Sequence, residues 1–292
     1  MKFDVFLPES LPDVLGFIDK QREEVSLIAG GTDLLPRLMR GKSRPKLVID
    51  LSNLSELDFM RKENGIYRIG ALTRISELAD SRLFQDGCEA IREVCQQIAS
   101  PPIRNLATVG GNITGPGSFR DVLSVLMCLG AKAVLKSRRG ERVLPIESLL
   151  LEEGKIDLQP REILTEVHVQ EPPPNSWSSF SKVGRRQGFA IPLASSAMFL
   201  QLELPSRKVR ELRLWFNHLR DSIPEKAERT ASAVTGELLS ERVVTKASGV
   251  LSAELRPSSD FKASSEYRRR AAVRLFMDQL AHCAEMIVGS SR

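Results

Sequence analysis

Three consecutive prolines, Pro172, Pro173 and Pro174, sit in the stretch "EPPPNS" from Glu171 to Ser176 and divide this chain of 292 residues. None of the three can donate a backbone hydrogen bond and each has a fixed φ, so the run stiffens into polyproline II and fits neither a helix interior nor a central strand. The chain therefore reads as two domains, 1–171 and 176–292, and its length with 42% hydrophobic content is enough for two cores of modest size.

The segment before the prolines alternates strand and helix. "KFDVFLP" reads as a strand; a helix starts near Ser10 with Pro12 in its first turn and Val14, Leu15 and Ile18 inward; the apolar run "VSLIAG" follows. A short amphipathic helix "DLLPRLMRG", a buried strand "KLVIDLS" and a strand "NGIYRIGA" opening at a turn-forming Asn-Gly come next. Two helical patterns, "RISELAD" and "EAIREVCQQIA", lead into a glycine-rich loop, followed by the apolar "VLSVLMCLGA", the strand "KAVLKS", a charged turn at Arg138–Glu141 and the strand "ILTEVHVQ". We read two α/β parts, about 1–55 and 56–171. Beyond the prolines, "SWSSFSKVG", "IPLASSAMFLQLEL" and "VRELRLWFNHL" read as an antiparallel sheet. Three helical patterns then follow, the last being "SSEYRRRAAVRLFMDQLAHCAEM". The fold class is α+β.

Composition narrows the chemistry. The formal charge is only +5, aromatics are 5%, and no basic motif is interleaved with stacking residues, so nucleic acid is not expected as a partner. The excess reads as a solvated surface or a face that meets an acidic partner. The arginines of "EYRRRAAVR" carry the same two readings, a solvated helix face or a docking surface. No apolar run is long enough to span a membrane, and "MKFDVFLPESLPDV" carries acidic residues where a signal peptide would be apolar; a soluble, cytoplasmic protein is expected. Cys88, Cys95, Cys128 and Cys283 show no C-x-x-C spacing, and the three histidines form no H-E-x-x-H, so no metal ligands are expected and the cysteines read as core filling. No general acid or base stands out.

Two glycine pairs remain. Gly110 and Gly111 remove side chains at successive positions, so backbone N–H groups can approach a ligand closely and adopt positive φ. Successive amides aimed into one concavity form an anion nest, for which a pyrophosphate is the natural occupant. Asn112 and Thr114 add short polar groups, and Asp121 is suited to accept from sugar or ribityl hydroxyls. Gly30, Gly31, Thr32 and Asp33 repeat this logic after the earlier strand. Each pair is also compatible with a plain tight turn, and neither loop fits the G-x-G-x-x-G or G-x-x-x-x-G-K-[ST] pattern.

Taken together, "IAGGTDLLPRLMRG" and "IASPPIRNLATVGGNITGPGSFRDVL" resemble the FAD-binding medium subunit of the molybdenum hydroxylases, the carbon monoxide dehydrogenase, xanthine dehydrogenase and aldehyde oxidoreductase group. The order and separation of the motifs fit, as does the C-terminal "SSEYRRRAAVRLFMDQLA", so the resemblance covers nearly the whole chain. It implies a two-subdomain FAD-binding domain of the vanillyl-alcohol-oxidase (PCMH) type followed by an α+β C-terminal domain. It further implies a first FAD loop of Ala29, Gly30, Gly31, Thr32, Asp33 and Leu34, and a pyrophosphate region of Ser100, Thr108, Gly110, Gly111, Asn112 and Thr114. Asp121 would bond ribityl or ribose hydroxyls, Ile163 and Leu164 would pack on the isoalloxazine ring, and Lys182 would lie near the flavin. For Leu164 an ordinary core position and for Lys182 a surface position are the competing readings.

The implied activity is electron transfer within a heterotrimer, from two [2Fe–2S] clusters of a small subunit, reduced by a large molybdopterin subunit, through FAD to an acceptor such as NAD. A self-contained FAD-dependent reductase of the same fold and a non-catalytic scaffold are the alternatives. The sequence departs from the family in "GPGSFRD", where bulky Phe119 and charged Arg120 replace small residues; Arg120 could meet a phosphate or Asp121 itself. The Cys-rich insertion of some relatives is missing, so no additional cluster is expected.

Overall fold

Each of the two glycine pairs lies in one of two compact units, the one made of Met1–Leu83, Ala99–Gly117 and Gly130–Gln170; the other comprises Phe84–Ile98, Ser118–Leu129 and Glu171–Arg292. The structure is a computed structural model that describes residues 3–21, 25–85, 87–116, 120–151, 154–159, 161–185, 191–220 and 223–289. Phe119 lies outside the described residues.

The first unit opens with β1 (Asp4–Phe6), α1 (Leu11–Lys20), β2 (Val25–Ile28), α2 (Leu34–Met39) and β3 (Leu47–Asp50). The strands form a parallel sheet in the order β1-β3-β2, the arrangement that helical crossovers produce. The Ser10 hydroxyl caps α1 by accepting from the Asp13 N–H at 3.3 Å, Pro12 sits in the first turn, and Leu11, Val14 and Ile18 are buried. These residues pack with Ile49, Leu51, Leu54, Leu57, Leu72 and Ile163 in one apolar cluster.

A second, antiparallel sheet of the same unit has the order β4-β5-β8-β6-β7, with β4 (Met60–Glu63), β5 (Ile66–Gly70), β6 (Lys132–Ser137), β7 (Gly140–Pro145) and β8 (Ile163–Gln170). Asn64 and Gly65, both at positive φ (50° and 73°), close the β4–β5 hairpin, the role that Asn-Gly serves best. Strand β7 has no counterpart in the sequence reading. Its "GERVLP" is an edge strand with one neighbour, and an edge does not impose the apolar alternation by which strands are recognised. Three short helices complete the unit: α3 (Ile75–Asp80), α5 (Pro101–Arg104) and α6 (Val109–Thr114).

The second unit is built on the antiparallel sheet β12-β11-β10-β9, with β9 (Ser176–Gly184), β10 (Pro192–Glu203), β11 (Lys208–Asn217) and β12 (Glu225–Lys226). Helices α8 (Glu228–Val234), α9 (Glu241–Glu254) and α10 (Ser265–Gly289) follow. They bury Ala194, Met198, Leu200 and Leu202, the even-numbered side of β10, against Val234, Leu251, Phe276 and Leu280.

The opposite side of this sheet carries two helices from before the prolines, α4 (Glu89–Gln97) against β9 and α7 (Asp121–Cys128) against β10 and β11. The Ser178 hydroxyl on β9 accepts from Ala90 N–H at 3.1 Å, and the Cys128 thiol reaches the Arg213 carbonyl on β11 at 3.4 Å. Helices on both faces explain why β10 is buried over eleven of its twelve residues and reads as a near-continuous apolar and small-residue run. They also explain why every residue of α7 is buried.

The C-terminal arginines divide. Arg268 is only 4% exposed and donates to the Leu193 carbonyl (2.8 Å), the His218 carbonyl and the Asp260 carboxylate (2.6 Å). Arg269 donates to the carbonyls of Ser252 and Leu255, whereas Arg270 is exposed. The solvated-face reading therefore fails for Arg268, whose guanidinium fork satisfies buried carbonyls that sequence alone does not reveal. Among the described residues, no helix is long and apolar enough to cross a membrane.

Candidate functional site

In the first unit the two glycine segments converge. A Cβ on Gly30 would stand 1.7 Å from the carbonyl oxygen of Leu106, so the backbone leaving β2 lies directly on the backbone that enters α6. Gly115, at the far end of α6, faces the same loop: its Cβ would lie 4.0 Å from Asp33 Oδ2. The segment before α6 is in turn joined to the strand layer. Ile75 N–H donates to the Ala107 carbonyl, Val109 N–H to Thr73 and Gly110 N–H to Ala71, while Ala71 N–H donates to Thr165 on β8. Ala71 thus bridges the glycine helix to the strand that carries Ile163 and Leu164.

The first loop has free backbone donors. Gly31 is left-handed (φ 68°) and Asp33 right-handed (φ −105°, ψ −48°), a local alternation of the kind that lets neighbouring amides face one point. Among the described residues, no acceptor takes the amides of Gly30, Gly31, Thr32, Asp33 or Leu34, although all five residues are half-buried. Amides at the start of a helix have no partner within it, so water or a ligand must accept from them. The diphosphate of a dinucleotide fits that requirement.

The second glycine pair behaves differently from the sequence expectation. Gly110 and Gly111 lie within α6 rather than in an open loop, and neither is at positive φ. Gly110 N–H donates to Ala71 at 2.8 Å and Gly111 N–H to the Thr108 hydroxyl at 3.2 Å, so these amides serve the protein itself. The need for glycine at 110 is steric, since a Cβ would come within 2.8 Å of the Ala71 carbonyl oxygen. Gly111 is exposed and would meet only Thr108 Oγ1, so it offers a bare backbone surface. Thr114 donates its hydroxyl to the Gly110 carbonyl at 2.8 Å, and Ser100 precedes α5, where its carbonyl accepts from Arg104 N–H.

Ala29 packs against the apolar cluster to which Ile163 belongs; Ile163 is 3% and Leu164 4% exposed.

Asp121 and Lys182 belong to the second unit, where the structure also brings them together. Lys182, Ser195 and Asn217 form a row across β9, β10 and β11, paired through Ser195, on the side of the sheet that α7 covers. Asp121 opens α7 and is 2% exposed; its Oδ1 accepts from the Ser195 hydroxyl at 2.8 Å and bonds His218 Nε2 at 2.8 Å. Burial by itself would raise the carboxyl pKa, but the charge and hydrogen bond of His218, the Ser195 hydroxyl and the charge of Lys182 outweigh it and hold Asp121 below the ordinary carboxylate range. Lys182 Nζ also donates to the Gln97 carbonyl at the end of α4. Arg120 is 4% exposed, and desolvation lowers its guanidinium pKa. Sequence reasoning missed His218 and Ser195. A histidine at the end of an apolar strand has no signature without its partner, and Asp121 is ninety-seven residues away.

Comparisons with known proteins agree with this arrangement. Residues 1–172 match the family described as "FAD binding domain in molybdopterin dehydrogenase", and residues 178–282 match "CO dehydrogenase flavoprotein C-terminal domain". The chain is 31% identical over 205 residues to the nicotinate dehydrogenase FAD-subunit of Eubacterium barkeri, covering 69% of each chain. It is 27% identical over 270 residues, 92% of each, to the carbon monoxide dehydrogenase medium chain of Afipia carboxidovorans. Its fold superposes on a chain of the CO dehydrogenase of Oligotropha carboxidovorans with a TM-score of 0.87, at 26% identity, over 95% of this chain and 96% of that one. The chain therefore belongs to the FAD-binding subunits of the molybdenum hydroxylases, and is an oxidoreductase subunit whose cofactor is FAD.

Proposed function

We propose that this subunit passes electrons from [2Fe–2S] clusters of a small partner subunit through FAD to an acceptor such as NAD, in a cytoplasmic complex with a large molybdopterin subunit. Relatives named as the medium chain of carbon monoxide dehydrogenase and the FAD-subunit of nicotinate dehydrogenase support the assignment to a larger assembly. Cys88, Cys95, Cys128 and Cys283 are buried and form no disulfide, which suits a reducing compartment.

Bound FAD supplies the ability to accept electrons singly and to release them as a hydride equivalent. The chain contributes position and electrostatics. In this reading the amides of Gly30–Leu34 hold the diphosphate, with Ala29 at the base of the loop. Ser100, Thr108, Gly110, Gly111, Asn112 and Thr114 shape the opposing backbone, where Gly110 acts by letting α6 approach Ala71 and Gly111 by its bare surface. Ile163 and Leu164 give the aliphatic support for the ring. Asp121 is kept ionised to accept from a hydroxyl, and Lys182 places positive charge near it.

The observation that carries the proposal is the run of amides at Gly30–Leu34 that find no acceptor among the described residues, packed by Gly30 onto Leu106. The test is an absorbance spectrum of the purified chain followed by NADH titration. Oxidised-flavin bands that bleach with NADH, together with co-purification of a molybdopterin-containing subunit, are the expected result. A colourless chain that does not take up added FAD overturns it.

A further inference from the structure

Buried polar side chains need partners, and the second unit holds one that lacks them. Asn217 is fully buried, its Oδ1 accepts from the His218 N–H at 2.8 Å, and its Nδ2 has no partner. Leaving such a donor unsatisfied costs its full desolvation, so its persistence calls for an acceptor. Asn217 is the direct cross-strand neighbour of Ser195, whose hydroxyl bonds Asp121, and direct cross-strand neighbours place their side chains on one face within about 5 Å. Both hydrogen bonds to the Asp121 carboxylate go to Oδ1, and none among the described residues reaches Oδ2. One acceptor oxygen and one orphaned amide donor therefore occur in the same row.

A hydroxyl needs this combination, because it donates one hydrogen bond and accepts another. A phosphate, which only accepts, would be repelled by Asp121.

His218 is held in an unusual state. It lies at φ 63°, a left-handed conformation that is strained for a non-glycine residue and persists only when its surroundings impose it. Asn217 Oδ1 on its amide and Arg268 on its carbonyl do so, and aim Nε2 at Asp121. Resting on the reading that Asp121 bonds a flavin hydroxyl, we propose that Asn217 Nδ2 donates to the same hydroxyl from which Asp121 accepts, and that His218 is a positioning residue that fixes the carboxylate for it.

The experiment measures the FAD dissociation constant of the full chain, after flavin removal, by quenching of flavin fluorescence. Asp121→Ala, Asn217→Ala, His218→Phe and His218→Gln are compared with the parent, and the unfolding temperature of each FAD-free variant is recorded. Gln can donate to Asp121 as the imidazole does, whereas Phe cannot. We expect Asp121→Ala, Asn217→Ala and His218→Phe each to raise the dissociation constant at least tenfold, and His218→Gln to stay within about threefold of the parent. If Asp121→Ala binds FAD as the parent does, the underlying reading falls and this inference with it. If Asp121→Ala weakens binding but Asn217→Ala does not, the reading stands and the inference is wrong. Equal losses in His218→Phe and His218→Gln reduce His218 to packing and overturn its positioning role.

Discussion

The carbonyl oxygen of Leu106 occupies the space that a side chain on Gly30 would need, with only 1.7 Å between that oxygen and the Cβ position. This approach joins a loop after β2 to a segment more than seventy residues later, and it involves backbone atoms on both sides. A clash with backbone cannot be relieved by a rotamer change. Gly30→Ala is expected to destabilise the chain at or beyond the upper end of the ~1–3 kcal/mol typical of overpacking, and to abolish flavin retention. Gly249→Ala is the control: it lies within α9, nothing stands within 4 Å of its Cβ position, and it should stabilise by about 0.5–1 kcal/mol. Chemical denaturation and the flavin-to-protein absorbance ratio read both.

Glycine spacing made these two segments legible as a candidate site, but not how each glycine acts. Gly31 serves through positive φ, as expected of such residues, whereas Gly30 and Gly110 serve by letting two backbones touch. A pattern of Gly-Gly cannot separate those uses, because both demand only the loss of Cβ. Amphipathic periodicity revealed α1, α4 and the C-terminal helices; the edge strand β7 lacked that signal. The proline triplet marks where the chain turns to its last segment, yet α4 and α7 precede it and still belong to the second unit. Their destination is set by the side of the β9–β11 sheet that faces away from α8–α10 and needs cover, and that demand is non-local.

Thr108 is expected to matter through its hydroxyl. It caps α6 by accepting from Gly111 N–H, and removing a cap of this kind costs about 1 kcal/mol. Thr108→Ala should lose that amount and weaken FAD binding, while Thr108→Ser keeps the oxygen and should keep both. Equal loss in the two variants, measured by denaturation and FAD titration, would place the importance of Thr108 in its methyl group instead.

The four cysteines should be silent toward thiol reagents. All are buried, and burial pushes the Cys128 and Cys283 thiols up to about 12, far from the thiolate that reacts. A chromogenic disulfide reagent at pH 8 should label none in the native chain and all four in denaturant. Rapid native labelling would show that this part of the second unit opens readily.

Glu93 on α4 carries the opposite electrostatic strain from Asp121. Burial dominates and raises its pKa, even though its carboxylate accepts from Phe180 N–H at 2.7 Å. A carboxyl with a raised folded pKa penalises the native state once the pH exceeds that value, and the penalty vanishes as the pH falls below the ordinary carboxylate range. Glu93→Gln retains the acceptor without the charge. It should raise the unfolding midpoint at pH 7 and leave it unchanged near pH 4, and a loss at pH 7 would show that the ionised form is favoured.

Asp121 gives the mirror-image case. Its folded pKa is depressed below the ordinary value of 3.8, because His218, Ser195 and Lys182 together outweigh its desolvation. A depressed carboxyl contributes stability that is fully present above the unfolded pKa and is lost as the pH falls through the folded one. The parent chain should therefore lose stability on acidification below about pH 4, and Asp121→Asn should show a lower midpoint at neutral pH with a flatter acid limb. Because the Ser195 hydroxyl can still donate to the amide oxygen, His218 is the partner left with the weaker acceptor. His218→Gln keeps a donor to Asp121 but loses the imidazole's charge, so it should flatten the acid limb in part, and less than Asp121→Asn does. If Asp121→Asn leaves the pH dependence of unfolding unchanged, the carboxylate is not the group that titrates there, and the network around His218 does not hold it ionised.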